Sequence, residues 1–174
     1  MAFISISITK NHPLILGKGG FGRQLADWLS AEGWGEAEFL DDSAPDCVGG
    51  LRDYADPKLL KPGRPAFVAL GDNALRVELL QKLAAAGYDT PVFISDMAAV
   101  SPSAVLEPGC VILPQAYVGA DAHLGVGCII NGGAIVDHDA VLGRGVHVAP
   151  GGIVKAGAEV EALTKVDSGE IIKK

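Results

Sequence analysis

Residues 131–140 read NGGAIVDHDA and set His138 between Asp137 and Asp139 in an otherwise bland run. A histidine titrates near neutral pH, so it can take a proton from an attacking nucleophile, and a neighbouring carboxylate can orient the ring and support its charged form. The same residues also suit a solvated corner, where aspartate is a common turn residue. A second signature is LILGKGGFG, residues 14–22, with Gly17, Gly19, Gly20 and Gly22 around Lys18 and Phe21. Glycines permit positive φ and close backbone approach, and a helix starting behind them aims free N–H groups at an anion such as a diphosphate. A tight strand-to-helix turn uses the same pattern with no ligand at all. FLDD, residues 39–42, places Asp41 and Asp42 at the end of the next apolar run. No metal is expected, because His123, His138 and His147 have no HxxxH-like pairing. Cys47, Cys110 and Cys128 form neither a CxxC pair nor an even disulfide framework.

These residues need elements to hold them. The chain has 174 residues, enough for one large domain or two small ones. Fourteen basic residues against 21 acidic ones give a net charge of -7, and no Lys/Arg cluster precedes Lys173 and Lys174, which argues against a nucleic-acid partner. No apolar run approaches the roughly 18 to 20 residues of a membrane span. MAFISISITKNHP at the N-terminus alternates Ile with Ser, which reads as a short extra strand rather than a signal peptide, so the cytoplasm is the expected compartment.

From residue 13 to 94 short apolar runs alternate with amphipathic stretches. PLILG, AEFLDD, PAFVALGD and TPVFI read as four strands. FGRQLADWLSAEG reads as a helix with Phe21, Leu25, Trp28 and Leu29 on one face, and NALRVELLQKLAAAG reads as a second. Strand, helix, strand in this order predicts parallel pairing and a doubly wound α/β domain over residues 1–96, with its ligand crevice at the carboxyl ends of the strands. After residue 97 the rhythm changes. Ile, Leu or Val falls at every sixth position from Val100 through Ile112, Ile130 and Val148 to Ile172, and a smaller residue such as Ala104, Cys110, Ala116 or Cys128 follows four residues later. Alternating large and small positions at a fixed period predict a narrow solenoid over residues 97–174.

The repeat resembles the hexapeptide family, which implies a left-handed parallel β-helix with three hexapeptides per triangular coil. Stacked coils put Cys110 over Cys128 at about one strand spacing, ~4.8 Å; both sit at small interior positions, so a buried thiol ladder is expected rather than a disulfide. The order of motifs LILGKGGFG, FLDD, ALGDNALR and NGGAIVDHDAVLGRGVHVAP resembles the nucleotide-sugar acyltransferases, which include N-acetyltransferases of UDP- and GDP-4-amino sugars and sialic acid O-acetyltransferases. That resemblance implies a Rossmann-like domain that binds the nucleotide sugar through Gly17, Lys18, Gly19, Gly20 and Phe21, with Asp41 or Asp42 at the base or ribose. Family members often carry a histidine where this chain has Phe21. It makes His138 the general base and Asp137 the acid that orients it, with Asn131 and His147 lining the site and Ala156 at the acyl end of an acetyl-CoA groove. It further implies a homotrimer with sites shared between subunits, acting in surface-glycan biosynthesis. Only 36 residues follow His138, and the repeat decays at Thr164 and Glu170. A catalytically silent nucleotide-sugar binder or scaffold, or an O-acetyltransferase, are the alternatives to N-acetyl transfer.

Overall fold

The computed structural model describes residues 12–59 and 61–174; the strand expected within residues 1–11 lies outside the described residues. The first unit runs β1 (Leu14–Leu16), α1 (Gly20–Ala31), β2 (Glu38–Leu40), β3 (Ala66–Val68) and α2 (Asn73–Ala86). Its three strands pair in parallel in the order β2-β1-β3. β1 and β3 are buried along their whole length, as strands covered on both faces should be. Alternate β1 residues point to opposite faces: Ile15 packs with Leu25 and Leu29 of α1, whereas Leu14 and Leu16 pack with Leu79, Leu80 and Leu83 of α2. Asp72 caps α2 by accepting from Leu75 N at 3.0 Å, and Gly87 closes it at φ 95°.

From Phe93 onward, fourteen two-residue strands, β4 (Phe93–Ile94) to β17 (Ile171–Ile172), wind a parallel solenoid with three flat faces. Each rung pairs with residues eighteen away, as Ile129 does with Val111 and His147. The sixth-position aliphatics from Ile112 to Val166 point inward and are at most 7% exposed. Cys110, Ala116, Ala122, Cys128, Ala134 and Ala140 fill the narrow corners beside them. Each fully buried Val, Leu or Ile contributes about 1.5 to 3 kcal/mol relative to exposure, so the repeated interior is the main source of stability. Cys110 and Cys128 are buried free thiols, donating to Gly125 O at 3.3 Å and Gly143 O at 3.2 Å.

The segment TPVFI corrects the sequence-based expectation. Phe93 and Ile94 do not join the α/β sheet; they pair with Val111 and Ile112 as the first rung of the solenoid. The reason is packing: Phe93 leads an outward ladder with Val111 and Ile129 that lies against Leu25, Leu29 and Phe67. The solenoid therefore starts ahead of the boundary expected near residue 97, and its first face is the platform on which the α/β unit sits.

The corners follow one backbone rule. Left-handed residues recur at every sixth position from Gly109 to Gly169, and Gln115, Asp121, Asp139 and Leu163 take that conformation without being glycine. Aspartate tolerates it better than most because its short polar side chain bonds locally.

Candidate functional site

Two groups of the expected site residues are built by different parts of the fold. The first surrounds the glycine turn after β1. Gly17 adopts φ 100°, and a Cβ on Gly22 would stand 1.9 Å from Gly17 O, so these two positions must be glycine. Gly19 and Gly20 have open space around them. The first α1 bond runs from Arg23 N to Gly19 O at 3.1 Å, which leaves the amides of Gly20, Phe21 and Gly22 without intrahelical acceptors at the positive end of the helix.

Asp41 faces this turn from the end of β2. Its Oδ2 accepts from Lys18 N at 2.7 Å, and its Oδ1 accepts from Ser43 N at 2.9 Å and Ala44 N at 2.8 Å. Those backbone donors, Lys18 first, hold its carboxyl down at about 2. The Lys18 ammonium donates to Pro45 O at 2.7 Å and Asp46 O at 3.1 Å, tying the glycine turn to the loop after β2. Asp42 Oδ1 accepts from Leu51 N at 2.8 Å, and Asp42 lines a cavity of about 160 Å³ with Leu51, Arg52, Tyr54, Leu75 and Lys82. Both aspartates thus lie at the carboxyl end of β2; Asp41 is spent on the backbone, and Asp42 lines that cavity.

Phe21 connects this turn to the solenoid, its ring centroid 6.4 Å from that of His147. His147 stands in the outward ladder above Ile129, and its Nε2 is 3.4 Å from Asn131 Nδ2. Asn131 Oδ1 accepts from Gly132 N at 2.8 Å, so its amide nitrogen faces the ring. Burial, with Arg76 and Lys165 adding positive charge nearby, pushes the His147 ring down to about 4. His147 is therefore uncharged at neutral pH, and its buried Nδ1 has no hydrogen-bond partner among the described residues.

The second group occupies the corner after the second face. His138 is 59% exposed, and its Nδ1 lies 2.7 Å from Asp139 Oδ2. Asp137 differs from the expectation: its Oδ1 accepts from the His138 backbone N at 2.8 Å, so it braces the turn while Asp139 meets the ring. The Asp139 hydrogen bond first, and the Asp137 charge second, raise the ring above the ordinary histidine range. Ala156 follows His138 by one coil, and Gly157 N donates to His138 O at 2.9 Å.

The topology separates the two groups. The α/β unit covers the first face through Phe93, Val111 and Ile129, and α2 lies on the corner between the third and first faces, where a Cβ on Gly127 would be 2.6 Å from Leu80. His138 sits on the remaining corner, between the second and third faces, opposite that covered side. Asn131, His147, Phe21 and the glycine turn gather on one side of the coil, and Asp137, His138, Asp139 and Ala156 on the other.

Comparisons with known proteins agree with this architecture. Residues 14–83 match the family model described as the PglD N-terminal domain. The acetyltransferase domain of PglB from Neisseria gonorrhoeae, solved with acetyl coenzyme A, is 32% identical over 93% of this chain and 87% of that one, with a TM-score of 0.76. The chain belongs to the hexapeptide-repeat nucleotide-sugar acetyltransferase family. PerB from Caulobacter crescentus, solved with CoA and GDP-perosamine, is 29% identical over 94% of this chain and 89% of that chain, with a TM-score of 0.75. WeeI from Acinetobacter baumannii, 16% identical over 92% of this chain and 95% of that one with a TM-score of 0.58, shares the fold. The family's left-handed parallel β-helix is the solenoid described above.

Sequence reasoning missed one structural residue that this family member depends on. Arg76, inside ALGDNALR, is 1% exposed and joins the domains: Nε donates to Gly127 O at 2.9 Å, Nη2 to Gly145 O at 2.7 Å and Nη1 to Leu70 O at 2.9 Å. Burial lowers it to about 10, which still leaves it charged. No local pattern singles it out, since Glu78, Gln81 and Lys82 are polar members of the same helix.

Proposed function

We propose that the protein transfers an acetyl group from acetyl-CoA to the amino group of a nucleotide-activated amino sugar in surface-glycan biosynthesis. The carrying observation is an exposed histidine held by a carboxylate on a β-helix whose relatives were solved with acetyl-CoA, CoA and GDP-perosamine. His138 takes the proton of the attacking amine, the C–N bond forms as the thioester C–S bond breaks, and the proton passes on to the departing CoA sulfur. The diphosphate lies at Gly19, Gly20 and Phe21, on the free amides of α1. Asp42 rather than Asp41 reads the base, because both Asp41 oxygens already accept backbone donors while Asp42 lines a cavity. Asn131 and His147 line the sugar side, and Ala156 marks the acyl end of the groove.

Working as a homotrimer joins the two groups, since one chain's His138 corner meets a neighbour's glycine turn. The second face supports this reading. Tyr117, Ile135, Ile153 and Ile171 form an outward apolar ladder beside the His138 corner, and three of them are at least 37% exposed. A heterologous contact of this kind closes into a ring. Among the described residues no helix is long and apolar enough to cross a membrane, which is compatible with action in the cytoplasm.

The test is release of CoA thiol from acetyl-CoA in the presence of UDP- and GDP-4-amino sugars, with the product weighed by mass spectrometry and particle size measured by light scattering. Saturable thiol release, an acetylated amine and about three chains per particle are the expected results. Nucleotide-sugar binding with no turnover rejects the transferase, and acetylation of a hydroxyl instead makes it an O-acetyltransferase.

A further inference from the structure

We propose that Arg23 is the charged ligand of the nucleotide diphosphate, and that Lys18, the cation inside the glycine turn, is a brace for the loop after β2. The inference rests on the diphosphate placement above and adds a residue to it. Order along the chain alone favours Lys18, which stands between Gly17 and Gly19. The structure engages every polar group of that residue elsewhere. Its N–H donates to Asp41 Oδ2 at 2.7 Å, its carbonyl accepts from Arg23 Nη1 at 3.1 Å, and its ammonium donates to Pro45 O at 2.7 Å and Asp46 O at 3.1 Å. The same ammonium lies 5.5 Å from the centroid of the Phe39 ring. It is held on the loop and the end of β2.

Arg23 has the opposite arrangement. It is exposed at the end of the first turn of α1, where each Cα–Cβ bond tilts toward the helix N-terminus, so its long side chain folds back over the helix start. The Nη1 bond to Lys18 O fixes it there. A guanidinium carries five N–H donors in a planar fork. The bond to Lys18 O is the one its side chain makes among the described residues, and no carboxylate there pairs with it. The remaining donors stand beside Gly19 and Gly20, whose flanks are open, and beside the free amides of Gly20, Phe21 and Gly22. Charge gives the residue its task. Asp41 is ionised, its carboxyl held down at about 2, and Asp42 follows it directly. Against these carboxylates the helix start offers only partial positive charge, whereas a guanidinium is always charged and matches phosphate oxygens in pairs.

The experiment titrates the full-length protein with UDP and GDP by calorimetry over a series of salt concentrations, and with uridine and guanosine, which lack phosphate, by NMR. Wild type should bind a nucleoside diphosphate with an affinity that falls as salt rises. Arg23→Gln should weaken that binding roughly 10-fold or more, flatten its salt dependence and leave the affinity for the matching nucleoside as in wild type. Arg23→Lys should recover part of the loss, because it restores the charge without the fork. Lys18→Met should cost less diphosphate affinity than Arg23→Gln and should instead speed hydrogen exchange at the Ser43 and Ala44 amides as the loop loosens. An unchanged diphosphate affinity in Arg23→Gln, an equal loss for the nucleoside, or a larger loss in Lys18→Met overturns the proposal. Wild-type binding of neither diphosphate overturns it together with the diphosphate placement. Absent acetyl transfer in a protein that still binds UDP or GDP rejects the transferase alone, and the titrations still decide for or against Arg23.

Discussion

His138 and His147 lie nine residues apart in one β-helix and meet opposite environments. His138 stands on an open corner between two carboxylates, and its ring is raised above the ordinary range. His147 is packed against Phe21 beneath the α/β unit, with Arg76 and Lys165 nearby, and is lowered to about 4. Eighteen-residue coils explain the divergence, because nine residues is half a turn and carries the chain from the exposed corner to the covered face. A base for amine deprotonation must accept a proton near neutral pH, which the first histidine can do and the second cannot.

The sharpest way to break this comparison is to remove each ring in turn. His138→Ala should lower kcat by roughly 100-fold or more, with substrate binding nearly intact, because the lost interaction develops in the transition state. His147→Ala should act mainly on KM for the nucleotide sugar, by about 10-fold or less, as a lost wall of the site would. Steady-state kinetics on both variants decide it. Equal kcat losses would mean that burial does not separate their roles.

A second measurement asks what keeps His147 covered. Arg76 satisfies carbonyls on both sides of the domain junction, and truncating it leaves Gly127 O, Gly145 O and Leu70 O without that donor. Arg76→Ala should destabilise the protein by about 3 kcal/mol, with the loss read from chemical denaturation. The effect should reach His147 as well, raising its titration as the face loosens and a neighbouring positive charge disappears. His138, on the opposite corner, should titrate as in wild type.

The two histidines also mark how far the sequence could be read. The six-residue period exposed the solenoid from Val100 onward, because each inward aliphatic is repeated by the next coil and a single interruption cannot hide the pattern. The same residues concealed its beginning: VFI is as good a strand for an α/β sheet as for a first rung, and only the ladder from Phe93 to Ile129 distinguishes them. The glycine turn was legible because Gly17 and Gly22 answer to local sterics. The ring partner of His138 was not, since Asp137 and Asp139 flank it symmetrically in sequence and only the left-handed backbone at Asp139 breaks the symmetry. Arg76 was missed because a buried arginine needs carbonyls from two distant coils, and no local pattern announces them.

The smallest expected effect is the pH dependence of stability, where the two histidines should pull in opposite directions. His147 has a folded pKa of about 4 against an ordinary value of 6.5, so the unfolded chain binds its proton first as the pH falls. Its neutral, buried ring contributes stability that is fully present above 6.5 and is lost progressively as the pH drops toward 4. His138 has a raised folded pKa, so its contribution is present below 6.5 and fades as the pH rises through its folded value. His138 is exposed and surface pairs contribute little, so the His147 slope should dominate. Thermal unfolding between pH 7 and pH 4 should therefore show a falling Tm in wild type, with a shallower fall in His147→Gln and an almost unchanged one in His138→Gln. Parallel curves for wild type and His147→Gln would show that His147 is no more buried than His138, and the contrast between the two rings would be lost.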